Sequence, residues 1–182
     1  MSASEEEQFV QQLQHSTTKD SAFRKLIAQN QSMLYYHIRS IVLYHEDADD
    51  VLQETFIKAY ENIHNFKGHS KLSSWLFRIA TNHALDFLKQ KSKMQKVSLD
   101  EYNQQVLDQL ETDPFFNGDE ATRLLHQAIA TLPEKQQLVF KMRYFQELDY
   151  QSISDILDTS VGALKASYHH AMKKIELFLK SH

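Results

Sequence analysis

The chain has 182 residues, 42% of them hydrophobic, with 3 Gly, 2 Pro, no Cys and a formal net charge of −4. That length allows one medium domain or two small ones, and so few glycines and prolines argue for helices joined by short loops. The lack of cysteine excludes disulfides and thiolate metal sites, and no apolar run approaches the ~20 residues that a membrane-spanning helix needs.

The N-terminal stretch MSASEEEQFV carries neither a basic nor an apolar signal region, so a soluble, cytoplasmic protein without a secretory leader is expected. Ser4 to Gln14 reads as a short amphipathic helix. Asp20 is a plausible N-cap for a long helix to Leu43, with Phe23, Leu26, Ile27, Met33 or Leu34, Ile38, and Ile41 or Val42 facing inward. His45-Glu46-Asp47 is expected to break it. The next helix has the cleanest period: Ala48, Val51, Leu52, Thr55, Phe56, Ala59, Tyr60 and Ile63 recur at steps of three and four. Beside that stripe runs a second row, Asp50, Gln53, Glu54 and Ile57, in which an aliphatic side chain completes a line of polar ones.

Phe66-Lys67-Gly68-His69-Ser70 reads as a loop, and Ser73 or Ser74 as the cap of the following helix. Its core stripe is predicted as Leu76, Ile79, Ala80, His83, Ala84 and Phe87. The opposite face is unusual for a solvated surface: Trp75, Arg78, Asn82, Asp86 and Lys89 line up on it. Residues 65–96 hold seven Lys/Arg against one acid, net +6, and residues 97–120 hold seven acids and no base, net −7. A basic block on the helix with the odd polar face suits contact with phosphates. The acidic block reads as a mostly irregular linker.

Past the linker the pattern returns to helices. One spans Ala121 to Ala130, and a second runs from Pro133, at the first helical position, to Tyr144, burying Leu138, Val139 and Met142. Tyr150 to Leu157 is a short helix. Asp158-Thr159-Ser160 is a tight turn, and Val161 to Leu179, capped by Ser160, is the last helix. These proportions are those of a helix-turn-helix. The expected architecture is therefore all-α: a helical domain over 1–96, a linker over 97–120 and a helix-turn-helix domain over 121–182.

Two separate signatures then carry a resemblance. Asp47-Ala48-Asp49-Asp50-Val51-Leu52-Gln53-Glu54-Thr55-Phe56-Ile57-Lys58-Ala59-Tyr60 resembles the polymerase-binding segment of region 2 in bacterial sigma factors of the extracytoplasmic-function (ECF) group. Phe66-Lys67-Gly68 followed by Trp75-Leu76-Phe77-Arg78-Ile79-Ala80-Thr81-Asn82-His83-Ala84-Leu85-Asp86 is similar to that group's promoter-melting and −10-reading segment. Leu132-Pro133-Glu134-Lys135 and the turn through Val161-Gly162 resemble its region 4. The resemblance implies that Asp50, Gln53, Glu54 and Ile57 grip a coiled coil of core RNA polymerase. It implies that Asn82 holds a flipped −10 base with Trp75 at the edge of the melted duplex, and Arg78, Lys89 and Lys91 can screen phosphates beside them. It places Gly162, Ala163, Lys165, Ser167, His170 and Lys173 at the −35 element, and the linker near the polymerase cleft. An anti-sigma factor is an expected partner.

The sequence also departs from that group. Where its recognition helix carries Thr, a basic residue, Ser and a later Arg, this chain has Ala163, Lys165, Ala166, Ser167 and His170. The usual Glu-Ile-Ala of the preceding helix is Ser152-Ile153-Ser154. An alanine-rich face offers fewer bidentate base contacts, so −35 reading would rest on His169, His170 and Lys173 or on shape and phosphates. A regulator using only the helix-turn-helix would leave Asn82 and the Asp50–Ile57 row without a role. An enzyme is not expected: no His-Glu-x-x-His, Walker A, Gly-x-Ser-x-Gly or dinucleotide motif is present, and neither a metal nor a cofactor is called for.

Overall fold

The computed structural model describes residues 3–42, 44–98, 101, 104 and 120–181, and among them every regular element is helical. In chain order they are α1 (Ala3–Gln14), α2 (Lys19–Val42), α3 (His45–Asn62), a 3-10 turn (Ile63–Asn65), α4 (Leu72–Gln95), α5 (Glu120–Ala130), α6 (Glu134–Tyr144), α7 (Tyr150–Leu157) and α8 (Val161–Ser181).

Helices α2, α3 and α4 pack on one another as a bundle, and α1 lies against α2 and the 3-10 turn. Leu34 rather than Met33 enters the core, because Met33 is 40% exposed, and both Ile41 and Val42 are buried. In α3 the expected stripe holds with two exceptions, Leu52, which is only half-buried, and Tyr60. Tyr60 sits at the margin, its ring edge-on to Phe23 at 5.0 Å and its hydroxyl donating to Asp20 at 2.7 Å.

Two expected boundaries shift. His45-Glu46-Asp47 starts α3 instead of breaking the chain, because Glu46 and Asp47 fall in its first turn, where the positive end of the helix dipole favours acids. Neither Ser73 nor Ser74 caps α4; the helix starts at Leu72, and Ser74 is buried inside its first turn.

The face of α4 is also broader than a single stripe. Leu76, Ala80 and Ala84 are buried as expected, but Phe77, Thr81 and Leu88 are buried too, while Ile79, His83 and Phe87 are only half-buried. At 100° per residue the buried positions cover roughly 200° of the helix. The cause is tertiary: α4 is packed by α2 and α3 and also by α7.

The C-terminal helices have a small core of their own, Ala128, Ile129, Leu132, Phe140, Ala171 and Ile175, between α5, α6 and α8. Their other apolar face joins the first bundle. Leu138, Val139, Met142, Ile153, Ile156 and Leu164 are buried in one continuous cluster with residues of α1 to α4. His37 of α2, fully buried, links the two halves. Its Nε2 lies 2.8 Å from Thr81 Oγ1 on α4, and its Nδ1 lies 3.3 Å from Gln146 Oε1 just past α6. The expected linker lies almost wholly outside the described residues. At its start Ser98 and Glu101 exchange reciprocal hydrogen bonds, Ser98 N to Glu101 Oε2 at 2.8 Å and Glu101 N to Ser98 Oγ at 3.1 Å, which is the pairing of a capping box.

Candidate nucleic-acid interface

The helical period of α3 turns Val51, Thr55, Phe56 and Ala59 into the core and sets Asp50, Gln53, Glu54 and Ile57 in one exposed row on the outside. Ile57 is 50% exposed between polar neighbours. An apolar side chain held in water at the end of a polar row is the composition of a contact patch, where the polar groups fix register and the aliphatic one supplies burial.

On α4, Trp75, Arg78, Asn82, Asp86 and Lys89 share the side left outside the buried arc. Trp75 is half-buried, one face packed on Phe66 at 5.4 Å between ring centroids. Arg78 and Asn82 are exposed and make no hydrogen bond or ion pair among the described residues. Asp86 is exposed and pairs with neither Lys89 nor Lys93. Lys91 is not a free cation: its Nζ lies 2.9 Å from Asp47 Oδ1, and Asp47 is only 7% exposed. That pair fastens the end of α4 to the start of α3.

Arg78 and Asn82 open into a crevice of ≈ 360 Å³ whose far wall is Glu134 and Lys135 of α6 and Ile156, Leu157 and Asp158 at the end of α7. The two carboxylates there would repel a phosphate backbone. The crevice could hold a base-sized group, with α6 and α7 as its far wall.

The helix-turn-helix forms as expected from its caps. Asp149 accepts from Ser152 N at 2.7 Å at the start of α7, Asp158 turns the chain at φ +50, and Ser160 Oγ accepts from Ala163 N at 3.4 Å at the start of α8. Leu164, Ala171 and Ile175 hold α8 inward, so Gly162, Ala163, Lys165, His170 and Lys173 are exposed and Ser167 lies at the margin. Among the described residues no group of three His, Asp or Glu could hold a metal ion.

The Sigma-70 region 2 family matches residues 26–94, and Sigma-70, region 4 matches residues 122–175. The ECF RNA polymerase sigma factor SigW of Bacillus subtilis is 32% identical over 142 residues, covering 74% of this chain and 76% of that protein. The chain belongs to the ECF group of the sigma-70 family. A sigma factor's role is promoter-specific transcription initiation. The RNA polymerase sigma-H factor of Pseudomonas aeruginosa, 28% identical, covers 97% of this sigma factor and 94% of its own length. The fold matches that of CnrH in complex with the cytosolic domain of CnrY, with a TM-score of 0.69 at 20% identity over 97% of each chain. No helix of the described residues is long and apolar enough to cross a membrane.

The sequence did not disclose three features of this sigma factor: the His37 junction, the Lys91–Asp47 pair and the contacts α1 makes with the loop before α4. The first two depend on residues 44 to 109 positions apart, and no local pattern encodes them.

Proposed function

We propose that this sigma factor uses the row Asp50, Gln53, Glu54 and Ile57 to bind core RNA polymerase and the outer face of α4 to hold the melted −10 strand. Trp75 stands at the fork, Asn82 pairs with an extruded base, and Arg78 and Lys89 screen phosphates. Lys91, tied to Asp47, fixes that end of α4 against α3, its charge offset by the carboxylate. The exposed side of α8, from Gly162 and Ala163 through Lys165, Ser167 and His170 to Lys173, sits at the −35 element, with phosphate and shape contacts outweighing bidentate base reading. Residues 1–96, 97–120 and 121–182 then act as region 2, an acidic linker and region 4. The protein is non-enzymatic, cytoplasmic and held by an anti-sigma factor.

The observation that supports this reading most is the exposed Asp50–Ile57 row, set on a helix whose inner face is fully committed to the core. The crevice adds a condition: Glu134 and Asp158 on its far wall repel phosphate, so α6 and α7 draw back from α4 when a DNA strand lies along Arg78 and Asn82. Run-off transcription with purified core polymerase tests the proposal. The wild-type chain confers initiation on core enzyme alone, and the triple change Asp50→Lys, Gln53→Lys, Glu54→Lys abolishes both co-purification with core and transcription while the circular-dichroism melt is retained. Normal co-purification of the variant would remove the row from the polymerase interface.

A further inference from the structure

The loop from Phe66 to Lys71 connects the 3-10 turn to α4 and precedes Trp75 by one helical turn. Its middle is loosely held. Lys67 and His69 are exposed, Gly68 has φ +70 with open space around its α-carbon, and an open groove of ≈ 590 Å³ separates the loop from Glu7, Val10 and Gln11. Its ends, by contrast, are fixed from a single distant element, α1. Gln14 Nε2 donates to Ile63 O at 3.0 Å and to Phe66 O at 2.9 Å, so both amide hydrogens are spent on the entry to the loop. At the exit, the Leu72 backbone N–H donates to the Glu6 carboxylate.

Leu72 opens α4, and its residue before, Lys71, supplies no side-chain cap. A helix start leaves four backbone N–H groups unpaired and carries the positive end of the helix dipole. Glu6 answers both from another helix. The distance between Gln14 and Glu6 is two turns of α1, so one rigid helix sets the span that the loop must bridge. Leu13, fully buried beside Gln14, anchors that helix in the core.

We infer that α1 is a brace for the −10-reading loop: Glu6 and Gln14 are positioning residues that set where the loop and Trp75 stand, and through them which base the site prefers. This rests on the assignment of the loop and α4 face to the −10 strand. Gln14 and Glu6 touch no DNA in this role. They act by fixing the two loop ends, and a shift there moves Phe66, against which the Trp75 ring is packed.

The test uses full-length protein, purified core polymerase and a promoter library randomised across the −10 element, with transcripts sequenced to give base preferences. The variants are Gln14→Glu, which keeps the shape but cannot donate, Glu6→Ala, which removes the acceptor, and Glu6→Gln, whose amide oxygen can still accept. Expected is a change in preference of about tenfold at one or more −10 positions for Gln14→Glu and Glu6→Ala, with wild-type preference in Glu6→Gln and unchanged affinity for core in all three. Preferences unchanged in both disruptive variants, or activity lowered equally on every sequence, would overturn the brace. Asn82→Ala is the control: if it alters −10 preference while the brace variants do not, the loop assignment stands and the brace falls. If Asn82→Ala also changes nothing, the −10 assignment falls and takes the brace with it. Should Gln14→Glu fail to fold, the comparison of Glu6→Ala with Glu6→Gln decides.

Discussion

His37 shows how much one side chain can be asked to do at a junction. A neutral imidazole has one N–H and one acceptor nitrogen to share between Thr81 Oγ1 at 2.8 Å from Nε2 and Gln146 Oε1 at 3.3 Å from Nδ1, and Thr81 Oγ1 also lies 2.7 Å from Phe77 O. Burial holds the ring neutral and pushes its pKa from 6.5 down to about 4, and the charge of Lys141 pushes the same way. Lys141 is itself buried and lowered to about 8 for that reason, and His126 is lowered to about 4 by burial with Lys141 and Arg39 nearby. The unfolded chain therefore binds protons that the folded chain refuses. The contribution of His37 is complete above about pH 6.5, declines as pH falls and is gone below about 4, on the order of 3 kcal/mol in all. Thermal melts should drop steeply between pH 6.5 and 4.5, and His37→Gln should flatten part of that drop while His126 retains the rest. An unaltered pH slope in the variant would show that His37 is not the titrating group. None of this was legible in the sequence, where His37 is one of 10 histidines beside a stripe that already looked complete.

Helix starts were the least legible elements, and each miss has a local cause. Acids that look like a break are, at the first turn of α3, favourable charges at a dipole end. The serines before Trp75 look like caps, yet α4 begins ahead of them because Glu6 supplies an acceptor from another helix. Where the cap is local, as at α7 and α8, the sequence placed both helices closely. Asp149 accepts from both the backbone N–H and the hydroxyl of Ser152, which holds its carboxyl below the usual range. Asp149→Ala should cost about 1 kcal/mol, lowering the melting temperature by roughly 2–4 °C; Asp149→Asn should lose less. The outward rows of α3 and α8 were legible because a 3.6-residue period fixes which residues share a face once the buried stripe is known. The outer face of α4 was legible for the same reason, but its inner face was not, because the width of a buried arc depends on how many neighbours pack against it.

At the scale of the whole molecule the decisive feature is that α6 and α7 close over α4. Leu138, Ile156 and Leu157 line the crevice opposite Thr81, Asn82 and Leu85. Across the junction Lys71 lies 3.8 Å from Asp149 with both side chains mostly exposed, a charge contact that contributes little. Apolar burial therefore holds the halves together, and a charge placed there should part them. Leu157→Asp should raise the radius of gyration in solution scattering. If only the open form engages promoter DNA, the variant's apparent affinity for core and promoter together should rise as the competent fraction rises; a compact variant with unchanged affinity would contradict that. The sequence by itself determined the all-α architecture, the order of the helices, the helix-turn-helix and the outward rows, because period, caps and the scarcity of Gly and Pro are local properties of the chain. Only the tertiary structure decided that α6 and α7 wall the crevice beside Asn82, that Lys91 is bound to Asp47, and that α1 holds the loop before Trp75. Those contacts join residues dozens of positions apart, and shape complementarity between finished helices selects them.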